Sequence, residues 1–160
     1  MAKFAVESRI DVPKARVWEV LSNLGSIYKW NPGVTSSHST SESGSGEGAT
    51  RHCDISNGPI KGYLEERALD WREGEGFKID IYDTNLPLKS NVVEFSVRAD
   101  GESTVVTVSP EYTIKFGIVG KLMDALMMRR QMRKGMEGLL AGLKYHVETG
   151  NEVGNKVPAV

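Results

Sequence analysis

The chain has a single cysteine, Cys53, among 160 residues, which excludes an internal disulfide and any metal site built on cysteine pairs. It has three histidines, His38, His52 and His146, and they are scattered. That leaves little from which to build a histidine metal centre or acid–base site, so no metal and no cofactor is expected. The formal net charge is −1, so no global field draws nucleic acid or an anionic membrane. No apolar run approaches the roughly 18 residues of a membrane span, and no integral membrane association is expected. The opening MAKFAVES lacks the apolar stretch of a signal peptide, which points to the cytoplasm. A glycine-rich loop before a helix, G-x-S-x-G and H-E-x-x-H are all missing. The GSGEG run sits in a serine-rich turn rather than after an apolar strand. What remains is ordinary for a soluble globular chain: 39% hydrophobic and 26% charged residues, enough for one domain with a core.

The strongest positive signal lies in the last third. From about Ile118 to Glu148 no proline intervenes, and Leu122, Ala125, Met128, Met132, Met136, Leu139, Leu140, Leu143 and Val147 recur at helical spacing. Such a helix is about 45 Å long at 1.5 Å per residue. A chain of this size can bury it by wrapping a curved sheet around it, which tends to leave a cavity between the two. Met128, Met132 and Met136 fall on the face towards the sheet. Methionine suits a wall that meets apolar ligands of varied shape, and it is equally an ordinary core filler. Arg129 lies near this face and is expected to snorkel outward. Met123 and Met127 fall on the opposite side, where they pack under the first helices or mark a dimer contact. Residues 150–160 lose periodicity and read as a flexible tail after a domain spanning 1–149.

Ahead of the helix the pattern is β. Phe4, Val6, Ser8 and Ile10 alternate with polar neighbours as a strand with one wet face. PKARVWEVLSN places Val17, Trp18, Leu21 and Leu24 on one side of a short helix, and a further turn covers Ser26 to Trp30 before Asn31-Pro32-Gly33. Trp18 reads as core, while Trp30 and Tyr112 suit either the core or a cavity mouth. The polar stretch Thr35 to Gly48 reads as a solvated edge strand and a loose turn. ATRHCDIS and PIKGYLEERALDW flank Asn57-Gly58, a strong hairpin signal. With those two residues as the turn, Ile55 faces Ile60, Cys53 faces Gly62 and Arg51 faces Leu64. Alternation then sends His52, Asp54 and Tyr63 outward, and Arg51, Cys53, Leu64 and Glu66 inward. A second hairpin turns at Asp100-Gly101, facing Val97 with Thr104, Phe95 with Val106 and Val93 with Val108, its inner face apolar. Phe77, Ile79 and Ile81 alternate between the hairpins.

Two opposite charges on an inner face, Arg51 and Glu66, set diagonally across the strand pair, need an explanation, because unpaired burial is expensive. Either they form a structural pair that holds strand register, or they are a polar anchor at one end of an apolar cavity.

VPKARVWEVLSN followed by Trp30-Asn31-Pro32, then Gly48-Ala49-Thr50-Arg51, Glu66-Arg67 leading to Asp70, and a final helix ending Gly142-Leu143-Lys144-Tyr145, together resemble the START-like superfamily. The nearest branch is that of bacterial polyketide cyclase/dehydrase-like (SRPBCC) proteins, related to the birch-pollen-allergen fold, and the resemblance covers about residues 3 to 148. It implies an α+β helix-grip fold: a seven-stranded antiparallel sheet around the C-terminal helix, two short helices after the first strand, and an apolar cavity. In polyketide aromatase/cyclases an arginine on the third strand polarises substrate oxygens, and Arg51 matches that position. Many relatives carry a tryptophan near where this chain has Val108.

The expected ligand wall comprises Trp30, Arg51, Cys53, Leu64, Glu66 and Ile79 from the front of the chain. Phe95, Val106, Val108, Met128, Met132 and Met136 complete it. Three functions follow as alternatives: a binder of an apolar small molecule (a lipid, polyketide or isoprenoid); a cyclase or dehydratase with Arg51 and Glu66 as candidate catalytic groups; and an interaction scaffold. The thin acid–base inventory favours binding. A hydrophobic small-molecule ligand is the expected partner, with the chain a monomer or homodimer.

Overall fold

Each strand places its apolar parity on one side of a single sheet, and that side is the one the helices cover. The computed structural model describes residues 2–57, 60–114 and 121–157. In chain order it contains β1 (Ala2–Lys3), β2 (Val6–Ile10), α1 (Lys14–Leu21), a 3-10 helix (Leu24–Lys29), β3 (Val34–Ser39), β4 (Thr50–Asn57), β5 (Ile60–Arg72), β6 (Gly76–Thr84), β7 (Leu88–Asp100), β8 (Ser103–Ile114) and α2 (Lys121–Thr149). The sheet is antiparallel, ordered β1-β8-β7-β6-β5-β4-β3, with β2 also on β8. β1 and β2 share one register: Lys3 pairs with Glu111 and Val6 with Val108, so Phe4 falls opposite Pro110. Proline has no N–H to donate, and the ladder lapses there. Counted as one interrupted strand, they give the expected seven-stranded helix-grip sheet, with the short helices between its first and second strands. Ile118, where α2 was expected to begin, lies outside the described residues.

Both hairpins differ from expectation in register. Asn57 pairs with Ile60, Cys53 with Leu64 and Arg51 with Glu66, and Asp100 pairs with Ser103, Val97 with Val106 and Phe95 with Val108. Each pairing is displaced by two residues, and in the second hairpin the reason is that the turn begins at the glycine rather than ending on it. Gly101 has φ +63° and Glu102 does not enter positive φ, which fits a II′ turn with glycine first. Gly58, of the expected first turn, lies outside the described residues. A shift of two keeps every side chain on its own face while changing its partner.

The main core joins the concave face of the sheet (Ile79, Phe95, Val97, Val106 and Val108 among others) to Val17, Trp18 and Leu21 of α1, the 3-10 helix, and Leu139, Leu140, Leu143 and Val147 of α2. Burying each such side chain contributes about 1.5–3 kcal/mol. Gly142 allows this contact: a Cβ there would sit 1.9 Å from the Trp30 carbonyl oxygen. The end of α2 is pinned as well. Lys144 Nζ donates to the Arg9 carbonyl at 2.8 Å, and the Asp11 N–H donates to Glu148 Oε2 at 3.0 Å. After Gly150, at φ +78°, Val153 is buried and its N–H donates to the Lys29 carbonyl at 2.9 Å.

The other half of α2 is packed differently. Met128, Met132 and Met136 are half-buried against a separate small cluster of Phe4, Leu88 and Tyr112. Leu126 and Met127 are exposed, at 62% and 59%. Arg129 points to solvent, as expected of it. The side chains of Leu122, Met123 and Ala125, named in the expected stripe and its opposite side, lie outside the described residues.

Candidate functional site

Strand parity delivers Arg51 to the inner face of β4 and Glu66 to the inner face of β5, directly opposite each other rather than diagonal. They are 4% and 5% exposed, and Arg51 Nε donates to Glu66 Oε2 at 2.5 Å. Arg51 Nη1 donates to the Leu24 carbonyl at 3.1 Å. The pair therefore joins two strands to the 3-10 helix. Burial, the largest single influence, acts against the guanidinium's charge, but Glu66 and then Cys53 together outweigh it and raise the Arg51 pKa above its ordinary value. Cys53 Sγ lies 4.0 Å from Glu66 Oε2, and its pKa is pushed up to about 12, mainly by burial and then by the Glu66 charge.

The opposite face of the same strands is wet, as the alternation requires. His52 contacts Glu65 through Nδ1 and Asp54 through Nε2, the latter at 2.9 Å. Those hydrogen bonds, Glu65 first, raise the His52 pKa. His38 stands beside it on β3, and Tyr63 stacks on its other side. Among the described residues no group of three or more His, Cys, Asp or Glu side chains is placed to hold a metal ion.

The expected wall residues divide into two groups. Trp30, Cys53, Ile79, Phe95, Val106 and Val108 belong to the main core, with Leu64 packed on it and the Arg51–Glu66 pair beside Cys53. Met128 and Met132 belong to the smaller cluster, and Met136 touches both. Trp18 is core, and Trp30 and Tyr112 are fully buried. Two surface depressions border these groups. One, of about 110 Å³, lies at the β6–β7 end and is lined by Ile81, Thr84, Leu88 and Asn91 among others. The other, of about 190 Å³, lies between α1 and α2 beside Val20, Asn23, Trp30 and His146. Neither is lined by Arg51 or Phe95.

One residue went unnoticed in the sequence. Asn91 shares the inward parity of Val93 and Phe95, is 5% exposed, and is the cross-strand partner of Tyr112. An asparagine in phase with an apolar strand face was the available signal.

An antiparallel sheet packed against one long C-terminal helix, with two short helices after the first strand, defines the helix-grip class. The chain belongs to the family described as polyketide cyclase / dehydrase and lipid transport, whose model matches residues 1–148. Its fold is shared with a protein of Thermus thermophilus at TM-score 0.80 and 19% identity, covering 93% of this chain and 99% of that one. It is shared also with a START superfamily protein from Mycobacterium smegmatis at TM-score 0.78 and 14% identity, over 93% and 99%. Ara h 8.0201 is similar at TM-score 0.65 and 15% identity, over 92% and 98%. No curated protein matches the chain in sequence. Family and fold together suggest a domain for hydrophobic ligands. No helix among the described residues is long and apolar enough to cross a membrane.

Proposed function

We propose that the protein binds an apolar small molecule of the lipid, polyketide or isoprenoid class between the sheet and the first half of α2. The observation that carries this is the change in packing along one helix. Leu139, Leu140 and Leu143 are sealed into the core, while Met128, Met132 and Met136 are half-buried on a small cluster that includes Phe4 and Leu88. Three adaptable side chains on an incompletely covered apolar surface suit an occupant of variable shape. The family description, which names lipid transport, points the same way.

The cyclase or dehydratase reading has less support. Arg51 is held by Glu66 and the Leu24 carbonyl, and a cation neutralised at 2.5 Å retains little field for a developing enolate. The binding reading is tested with 8-anilinonaphthalene-1-sulfonate, which should bind the native protein and be displaced by fatty acids. Met132→Glu should abolish that binding while melting stays cooperative, since a charge in an apolar site is costly. Undiminished dye binding in a folded Met132→Glu variant would place the site elsewhere.

A further inference from the structure

We propose that Asn91 and Tyr112 form a polar subsite that takes the hydroxyl group of an apolar alcohol or phenol lying under the methionine stripe. This deepens the binding reading above and rests on it.

Buried polar side-chain atoms in folded proteins nearly always have a partner. This chain follows the rule elsewhere in its interior. Thr104 Oγ1 donates to the Val12 carbonyl at 2.7 Å, and Arg51 and Glu66 bond each other. Among the described residues, three buried side-chain polar atoms have none: Trp30 Nε1, Asn91 Oδ1 and the Tyr112 hydroxyl. Trp30 belongs to the main core. Asn91 and Tyr112 differ, because they are direct cross-strand partners on β7 and β8 and face the same side. Side chains so paired have Cβ atoms about 5 Å apart, close enough for one small group to touch both.

Their surroundings are those of a ligand's polar end. Tyr112 packs with Phe4 and Leu88 beneath Met128, Met132 and Met136. The depression of about 110 Å³ is bounded by Leu88 of that cluster and by Asn91, so it borders one of the two paired residues. Burial raises the Tyr112 pKa, opposed by the charge of Arg129, so the phenol stays a neutral donor.

The two atoms select a functional group. Asn91 Oδ1 accepts a hydrogen bond, and the Tyr112 hydroxyl donates one. A ligand hydroxyl satisfies both at once by donating to Asn91 and accepting from Tyr112. An ether or ketone oxygen accepts from Tyr112 and leaves Asn91 Oδ1 unmet. A hydrocarbon leaves both unmet. A site built to hydrogen-bond a hydroxyl rejects analogues that lack it, because its own groups are then stranded.

The test is calorimetric titration of the wild type, Tyr112→Phe and Asn91→Leu with 4-hexylphenol, 4-hexylanisole and hexylbenzene. The wild type should prefer the phenol to its methyl ether by about tenfold, the worth of one net hydrogen bond. Asn91→Leu, which removes the acceptor, should reduce that preference to within about twofold, and Tyr112→Phe, which removes the donor, should weaken the phenol and the ether alike by about tenfold relative to hexylbenzene, whose affinity both variants should keep. Thermal melting confirms the fold, and Tyr112→Phe, which keeps the ring, remains informative if Asn91→Leu does not fold. Hexylbenzene binding with no phenol preference in the wild type, a phenol-over-ether preference that survives in Asn91→Leu, or phenol and ether affinities that Tyr112→Phe leaves unchanged relative to hexylbenzene, overturns the subsite alone. A Tyr112→Phe protein that is more stable yet separates the oxygenated compounds from hexylbenzene as before marks the orphaned hydroxyl as a packing defect and also overturns it. Failure of all three compounds to bind overturns the subsite together with the reading beneath it.

Discussion

Replacing Arg51 with methionine keeps the length of the side chain and removes its charge, leaving Glu66 inside the protein without its cation. The structure sets the scale. Both residues are at least 95% buried, with Nε and Oε2 2.5 Å apart, so this is a buried pair rather than a surface ion pair. Removing one partner of such a pair costs about 3–5 kcal/mol, because the desolvated charge that remains is uncompensated. The Leu24 carbonyl loses its Arg51 donor as well. Total stability is about 5–15 kcal/mol for a domain, so the loss is a large share. At about 2–4 °C per kcal/mol for this chain length, the melting temperature should fall by about 6–20 °C. Arg51→Met combined with Glu66→Gln should recover at least half of that, since a neutral amide is far cheaper to bury than a carboxylate. Urea and thermal melts on the three proteins measure all of this. A single variant as stable as the wild type, with weakened affinity for oxygenated ligands, would refute the structural role and restore Arg51 as a ligand anchor.

Other substitutions probe the remaining contacts. Gly142→Ala should destabilise by at least about 1–3 kcal/mol through overpacking, since its Cβ would meet the Trp30 carbonyl oxygen at 1.9 Å. Gly135→Ala, in the same helix with nothing within 4 Å, should stabilise by up to about 1 kcal/mol; equal melts for the two would undo the account of how α2 docks. NMR titration should place the His52 pKa above the ordinary 6.5, and Glu65→Gln should lower it. Because the folded pKa is raised, the protonated His52 supports the fold below about pH 6.5, and that support fades as pH rises through the folded value. The Cys53 thiol, pushed up to about 12, should resist Ellman's reagent at pH 8 in the native state and react on unfolding; rapid native labelling would contradict its burial.

Which residues face inward was legible in the sequence; which residues meet was not. Period-2 alternation placed Arg51, Leu64 and Glu66 on the concave side and His52 and Tyr63 outside, and the structure agrees. Partner identity depends on the turn, and two backbone conformations fit an Asp-Gly pair. Gly101 in the first loop position moved every contact of the second hairpin by two residues. Helical periodicity likewise marked the sheet-facing side of α2. It carried no information on how closely each turn packs, so sealed Leu140 and half-buried Met132 looked equivalent. Asn91 was hidden by its neighbours, since a hydropathy pattern averages one polar residue into an apolar strand.

Methionine methyl NMR tests the central claim most directly, because the six methionines include the three that roof the proposed site. Labelled protein titrated with lauric acid should show saturable shifts at the Met128, Met132 and Met136 methyls. The exposed Met127 methyl should barely move. Shifts confined to Met127, or no saturable shift at any methionine, would contradict a ligand held between the sheet and α2.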